Sequence, residues 1–319
     1  MTSLVSIVMP CHDVVDFVAE AVTSAARQTW PRLELVAIDD GSTDGTGELL
    51  ERLAGSWTGP QRRMIVHRQA QSGAAAARNA GLDRASGDLI CFLDSDDRLD
   101  AQMVERVSNV LADDRDLVLA SGLWRYVDAQ GHPTGIVSDA PHLRHDARSL
   151  VVEGPLHSAT GVIVRADAAR EAGQFDTGLS GCIDLDWFVR VVAGRGKAAA
   201  IVPEPLADYR KRDGQITANW ARMEANWTRV LQKMDLMGEG LDADELRRAK
   251  ARNQIYWATL AYQAGDYAAT RRLVAQSWRL DPKAASRDRL ARIRTLAALA
   301  SLLPGPLHET LRRRVASRQ

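Results

Sequence analysis

Cysteine is scarce in this chain. Three thiols in 319 residues, Cys11, Cys91 and Cys182, lie at no metal-ligand or redox spacing. A disulfide framework and a Cys-rich metal knuckle are excluded, and all three are expected to be reduced. No run of 18 apolar residues occurs, so no membrane-spanning helix is expected. Met1-Thr2-Ser3-Leu4 passes straight into a strand-like pattern, without the basic-then-apolar profile of a secretion signal. A cytoplasmic protein is therefore expected, and no nucleic-acid partner. Net charge is absent too, with 41 Lys+Arg against 41 Asp+Glu, but the balance conceals an asymmetry. Residues 221–319 hold 19 basic and 10 acidic side chains, and residues 1–220 hold 22 and 31. An acidic body suits a cation-assisted site, whereas a basic tail suits an anionic surface, a membrane leaflet or the body itself.

What is present is ordinary for a globular protein, with 45% hydrophobic and 26% charged residues. The length accommodates one large domain and a smaller one. Leu4 to Met9 is a short β-branched run closed by Pro10, and Val14 to Gln28 carries apolar residues at helical spacing. Leu33 to Ile38 reads as a second strand, and Thr43 to Ala54 as a helix capped by Ser42 or Thr43. A third unit runs from Met64 to His67 through Gly73 into an alanine-rich helix over Ala74 to Arg84. A fourth strand, Leu89 to Leu93, precedes Asp94-Ser95-Asp96-Asp97 and a helix starting near Leu99.

Strands alternating with helices predict βαβ units and a mainly parallel sheet, with ligands beyond the carboxyl ends of its strands. Pro10 to Asp13, Asp39-Asp40 and Asp94 to Asp97 each follow a strand, so three turns should converge on one rim. Asp94 and Asp96, two apart in extended chain, share a face. They suit a hard divalent ion completed by phosphate oxygens. The alternative is an acidic turn capping the following helix.

From Leu117 the alternation loosens into strand-like pieces, Leu117 to Ala120, Thr160 to Val164 and Ala198 to Val202. The connection from about Gly131 to His157 reads as a mobile loop. His132, His142, His145 and His157 within it lack ligand spacing and are expected to be solvated. The domains are expected at 1–217 and 218–319, the second helical, with Trp220, Trp227, Trp257 and Trp278 as apolar anchors. Tyr256 to Pro282 is patterned as one tetratricopeptide-like hairpin turning at Gly265-Asp266. Leu296 to Leu303, flanked by Arg287, Arg289, Arg292, Arg294 and Arg312 to Arg314, could lie on an anionic membrane or be a buried capping helix.

Several motifs in order resemble family 2 glycosyltransferases: V-S-I-V-M-P (Val5 to Pro10), Q-T-W-P (Gln28 to Pro31), D-D-G-S-T-D-G-T (Asp39 to Thr46), G-A-A-A-A-R-N-A-G (Gly73 to Gly81) and F-L-D-S-D-D (Phe92 to Asp97). G-Q-F-D (Gly173 to Asp176), D-L-D-W-F-V-R (Asp184 to Arg190) and P-E-P-L-A-D-Y-R (Pro203 to Arg210) continue the match over roughly two thirds of the chain. The resemblance implies a GT-A, Rossmann-like α/β fold with flanking helices, followed here by a helical region. It implies an inverting transferase that uses a nucleotide-sugar donor, UDP-linked by preference, and a saccharide or lipid-linked acceptor at the cytosolic membrane face.

By the same resemblance Pro10 and Asp40 border the nucleotide base, Asp94 faces the ribose, Asp13 and Ser95 belong to the same nucleotide-sugar site, and Asp96 with Asp94 holds Mg²⁺ or Mn²⁺. Arg78 adds a cation, and Asp184 is the general base. Cys11 is unusual after Pro10, and Ile183 stands where a Glu commonly precedes the base, which leaves Asp186 as an alternative. A sugar nucleotidyltransferase shares the architecture but needs a Gly-rich basic loop after the first strand, and P-C-H-D is not one. A non-catalytic nucleotide-sugar-binding scaffold draws its support from Ile183.

Overall fold

The computed structural model describes residues 2–55, 57, 59, 61–140, 142–212 and 219–282. In chain order the elements are β1 (Val5–Cys11), α1 (Val18–Ala26), β2 (Leu33–Asp40), α2 (Thr46–Ala54), β3 (Arg62–Gln69), α3 (Ala74–Leu82), β4 (Leu89–Phe92), β5 (Arg98–Leu99), α4 (Met103–Asp113) and β6 (Leu117–Val127). There follow β7 (Pro133–Val137), β8 (Arg144–His145), α5 (Ala147–Glu153), β9 (Val162–Arg165), α6 (Ala166–Ala172), α7 (Ile183–Val192), β10 (Ala198–Arg210), α8 (Trp220–Leu236), α9 (Ala243–Gln263) and α10 (Tyr267–Leu280).

The chain divides into two compact units, the first comprising 1–150, 154–179 and 183–211, the second 151–153, 180–182 and 212–319. The first is built on a sheet ordered β3-β2-β1-β4-β9-β6-β10-β5. Its leading four strands are parallel, as the βαβ pattern requires, and β6 pairs with β10 in parallel. β9 runs antiparallel between β4 and β6. Every residue of β2 is buried, the mark of a strand covered on both faces. α1 buries Val18, Ala21, Val22 and Ala25, one helical stripe. α3 packs so close to β1 that a Cβ on Gly81 would overlap Val8. This proximity holds α3 against β1 at the end of the helix, one turn beyond Arg78.

Local expectations shift where distant partners intervene. α1 begins at Val18 rather than Val14, and the amides of Val14 and Val15 in the turn before it donate to Thr46 Oγ1 and Asp44 Oδ2. α2 begins at Thr46 behind Gly45, whose φ of 97° only glycine adopts easily, so neither Ser42 nor Thr43 is its cap. The helix expected near Leu99 starts at Met103, since Arg98 and Leu99 are drawn into β5 against Asp208 and Ala207. The stretch from Gly131 to His157, expected to be a mobile loop, contains β7, β8 and α5, with Asp146 and Ser149 forming a capping box. His145, expected to be solvated, is 1% exposed.

In the second unit, α9 and α10 form a hairpin whose turn is at Gly265 and whose second helix is capped by Asp266 accepting from Ala269 N at 2.9 Å. Trp227 and Trp257 are buried edge-to-face with centroids 5.6 Å apart. Trp278, expected as an apolar anchor, is 44% exposed. No helix among the described residues is long and apolar enough to cross a membrane. Leu296 to Leu303 and the 217/218 boundary lie outside the described residues.

Candidate active site

The carboxyl ends of β1, β2 and β4 lie side by side because Cys11 pairs with Asp39 and Val8 with Phe92 in parallel register. Beyond them, the first two turns are laced together. Asp13, at φ 47°, accepts from Thr43 N at 2.8 Å, and its own amide donates to Ser42 Oγ at 3.1 Å. Asp44 accepts from Val15 N and Thr46 N, each at 2.9 Å; burial pushes its carboxyl up, but these bonds and the Thr46 hydroxyl bring it below its ordinary value. Asp40 is 3% exposed. Its Oδ1 accepts from Gln69 Nε2 and Ser72 N, each at 2.8 Å, and its Oδ2 from Gly73 N at 2.7 Å. Asp40 thereby fixes the turn that feeds α3, where Gly73 (φ 91°) needs the freedom of glycine.

The third turn carries the densest charge. Asp94 Oδ1 accepts from Arg78 Nη2 at 2.6 Å, and Arg78 Nη1 lies 3.3 Å from Asp184 Oδ1. One guanidinium, 7% exposed in its side chain, thus spans a strand-end carboxylate and a carboxylate in the first turn of α7. Burial works against the Arg78 charge, but Asp184, Asp94 and Asp96 outweigh it and raise its pKa. Asp184 keeps 31% side-chain exposure although its Oδ1 is sealed from solvent. Burial pushes this carboxyl above its ordinary range, with Arg78 opposing the shift and Asp94 adding to it.

α7 is held against β4 by an aromatic cluster. Phe175 stacks on Trp187 at 4.5 Å, and Phe92 meets both edge-on at 5.6 and 5.4 Å. Asn79, next to Arg78, clamps the Phe175 backbone from both sides, donating to its carbonyl at 2.9 Å and accepting from its amide at 2.7 Å.

Asp97, expected to cap a helix, does something else. It is 2% exposed and accepts from Thr160 Oγ1 at 2.6 Å and from Arg210 N at 2.8 Å. Burial and the charges of Asp96 and Asp94 push its carboxyl well above the usual range. Thr160 also accepts from Asp94 N at 3.0 Å, and Arg210 Nε donates to the Asp96 carbonyl at 2.7 Å. Thr160 and Arg210, which sequence reasoning did not single out, are therefore the clamps of the acidic turn. The only sequence signal for Arg210 was its place at the end of P-E-P-L-A-D-Y-R. Asp186, the alternative base, is 1% exposed and ion-paired to Arg190 at 3.1 Å, on the side of α7 away from Arg78.

Ser95, 6% exposed, hydrogen-bonds the Cys11 thiol. Burial pushes that thiol far up; Ser95 lowers it, and the charges of Asp39, Asp94 and Asp96 raise it again, so Cys11 is no nucleophile. These mutual influences gather Cys11, Ser95, Asp94, Asp96, Arg78 and Asp184 in one place, with Pro10 beside them on β1. Asp40 sits one strand across, at the end of β2, and Asp13 lies in the turn that follows β1. Among the described residues no three His, Cys, Asp or Glu side chains form a complete ligand set. Asp94 and Asp96 offer two carboxylates, hard donors of the type a divalent cation takes when water and diphosphate oxygens complete its shell, with Asp94 Oδ1 already paired to Arg78.

Residues 6–161 match the family model described as glycosyl transferase family 2. An uncharacterized glycosyltransferase of Haemophilus influenzae is 33% identical over 135 residues, 42% of this chain and 52% of the relative. GlyG of Streptococcus pneumoniae is 31% identical over 41% of this chain and 43% of its own length, so the chain spans about half the length of these relatives. The putative teichuronic acid biosynthesis glycosyltransferase TuaG of Bacillus subtilis is 27% identical over 70% of this chain and 86% of its own. Among solved structures, the mannosyltransferase PcManGT from Pyrobaculum calidifontis in complex with GDP-Man and Mn²⁺ covers all of this chain at 18% identity, over 86% of its own length, with a TM-score of 0.61. S. aureus TarS 1-349 in complex with UDP-GlcNAc covers 99% of this chain and 89% of its own at 15% identity, with a TM-score of 0.55. These likenesses show the GT-A fold.

Proposed function

We propose, from the match of residues 6–161 to the model of glycosyl transferase family 2, that the protein is an enzyme moving a sugar from a nucleoside-diphosphate donor to a saccharide or lipid-linked acceptor. The reaction is inverting, the donor UDP-linked by preference, and the product part of a cell-surface polysaccharide. Support for the uridine donor comes from the neighbour bound to UDP-GlcNAc, and support for the polysaccharide from the teichuronic acid relative. The observation that carries the reading is the Asp94–Arg78–Asp184 bridge at the sheet rim. It puts a cation and a carboxylate of raised pKa beside a strand-end Asp-x-Asp.

Pro10, Asp13 and Asp40 border the base. Asp40 Oδ2, which carries one protein donor, keeps a lone pair for a base N–H. Asp94 and Ser95 lie at the ribose, and Asp96 with Asp94 holds Mg²⁺ or Mn²⁺. When bound, the metal supplies charge neutralisation to the departing diphosphate. Asp184 accepts the proton of the acceptor hydroxyl as its oxygen attacks the anomeric carbon, and the bond to the diphosphate oxygen breaks on the opposite side. Arg78 orients Asp184 and adds positive charge at the donor. Catalysis is assigned to residues 1–217. The helical region 218–319 is assigned an accessory role, its excess of basic residues suiting contact with an anionic leaflet at the cytoplasmic face. Flotation of the full chain with anionic vesicles at low salt tests that contact, and no binding rules it out.

Titration of UDP, GDP and TDP with and without Mn²⁺, followed by calorimetry, tests the site. UDP is expected to bind most tightly, and at least about tenfold better with metal, a difference of about 1.4 kcal/mol. Equal binding without metal would remove Asp96 from its role.

A further inference from the structure

Beyond the acidic turn, the same sheet rim carries an aromatic group that the donor reading leaves unused. Tyr126 and Tyr209 are register partners at the carboxyl ends of β6 and β10, and their rings meet edge-to-face at 5.6 Å. Lys211 Nζ lies 4.7 Å from the Tyr209 ring and 5.3 Å from the Tyr126 ring. Tyr126 OH is 2.5 Å from His157 Nδ1, and His157 stacks on Trp124 at 5.9 Å. Trp124 is buried and donates through Nε1 to the Thr160 carbonyl at 2.7 Å, so the platform rests on the residue that clamps the acidic turn. The link to the chemistry is short. Ser158, next to His157, lies 3.4 Å from Asp94 Oδ2, and Asp94 reaches Asp184 through Arg78.

We propose that Tyr126, Tyr209 and Lys211 form the acceptor subsite, and that the acceptor is a saccharide bearing an anionic group, a carboxylate or a phosphate. Aromatic faces with hydroxyl tips suit the C–H face and rim hydroxyls of a pyranose ring, and a half-exposed pair held from behind offers that surface at low entropic cost. The ammonium held over both rings adds a cation at the edge of the platform, where a carboxylate or phosphate on the sugar would pair with it. The proposal rests on the transferase reading for the word acceptor, but the subsite is tested without donor.

Saturation-transfer NMR of the full chain is run with methyl β-D-glucuronide, methyl β-D-glucoside 6-phosphate and neutral methyl β-D-glucoside. The two anionic glycosides are expected to receive at least threefold more saturation than the neutral one. Lys211→Ala is expected to level the three. Tyr126→Ala and Tyr209→Ala are expected to lower all signals at least fivefold, with Tyr126→Phe and Tyr209→Phe checking that the fold survives. UDP affinity is expected to stay within twofold in the Lys211 and Phe variants. Absence of saturation from all three glycosides overturns the subsite even if UDP binds, and so do signals unchanged by Tyr209→Ala. Equal signals on the unaltered chain overturn its anionic character. Loss of UDP binding alone strikes the donor reading instead.

Discussion

Arg78 joins two carboxylates on opposite sides of the proposed displacement: Asp94 at 2.6 Å on the donor side and Asp184 at 3.3 Å on the acceptor side. The planar guanidinium reaches both at once, and a lysine ammonium, a single point charge, cannot. Arg78→Lys is expected to lower kcat by about 10²-fold, within the range ascribed to a positioned general base. A smaller change is expected in metal-dependent UDP affinity, and steady-state kinetics beside calorimetry separates the two. Full activity in the lysine variant would show that the bidentate bridge of Arg78 is not needed and that any buried cation at this point of α3 suffices.

As the proposed general base Asp184 must be ionised, and burial raises its pKa, opposed by Arg78 and aided by Asp94. The rate is therefore expected to fall as pH drops through a value above the ordinary 3.8 of an aspartate. Asp184→Asn is expected to cost about 10² to 10⁴ in kcat, to abolish that acidic limb and to leave UDP affinity nearly unchanged. A kcat–pH profile reads this out, and unimpaired turnover would take the base role away from Asp184.

Much of this site was legible in the sequence because strand, turn and helix signals are local. Asp40, Asp94 and Arg78 each follow a hydrophobic run or open an alanine-rich helix, and the parallel topology then brings them together without further information. Long-range pairing was hidden. Arg98 and Leu99 look like the approach to a helix, but Asp208 and Ala207, more than a hundred residues on, recruit them into a strand. For the same reason Asp97 read as a cap, although its partners are Thr160 and the Arg210 amide. Ile183, an oddity beside Asp184 in sequence, becomes intelligible in the fold. It is 7% exposed and packed into the main core, so a charged side chain there would be buried among apolar neighbours.

At the opposite end of the sheet, Glu34 is buried and satisfied by the hydroxyl of Ser6, by Ser86 N at 2.6 Å and by Arg63 Nη2 at 2.5 Å. Burial alone would raise its pKa, but Ser6, Ser86 and Arg63 bring it below 4.5. Its contribution to stability is therefore present above pH 4.5 and lost as pH falls through the lowered native value. Glu34→Gln faces these donors with an amide, at a cost of about 1–3 kcal/mol near neutrality. Urea unfolding from pH 7 to pH 3 is expected to show the variant less stable at pH 7 and the gap narrowing with acid. A constant gap would mean that the charge of Glu34 is not what stabilises this corner.

Arg210 bears on the metal question through the backbone of Asp96, the proposed ligand. It is 2% exposed, its Nε donates to the Asp96 carbonyl at 2.7 Å, and its Nη1 and Nη2 hold the Ala129 carbonyl at 3.0 Å and Glu20 at 2.8 Å. Arg210→Lys keeps the charge and the backbone bond to Asp97 but removes the fork that meets three acceptors at once. A buried acceptor left without its charge-assisted donor costs about 1.5–3 kcal/mol, and here that cost falls on the Asp94–Asp97 turn. UDP binding in the presence of Mn²⁺ is expected to weaken at least about tenfold, while metal-free binding changes little. Equal weakening in both conditions would place Arg210 on the nucleotide instead of behind the acidic turn. No weakening would mean that Thr160 alone suffices to hold Asp94 and Asp97 in position.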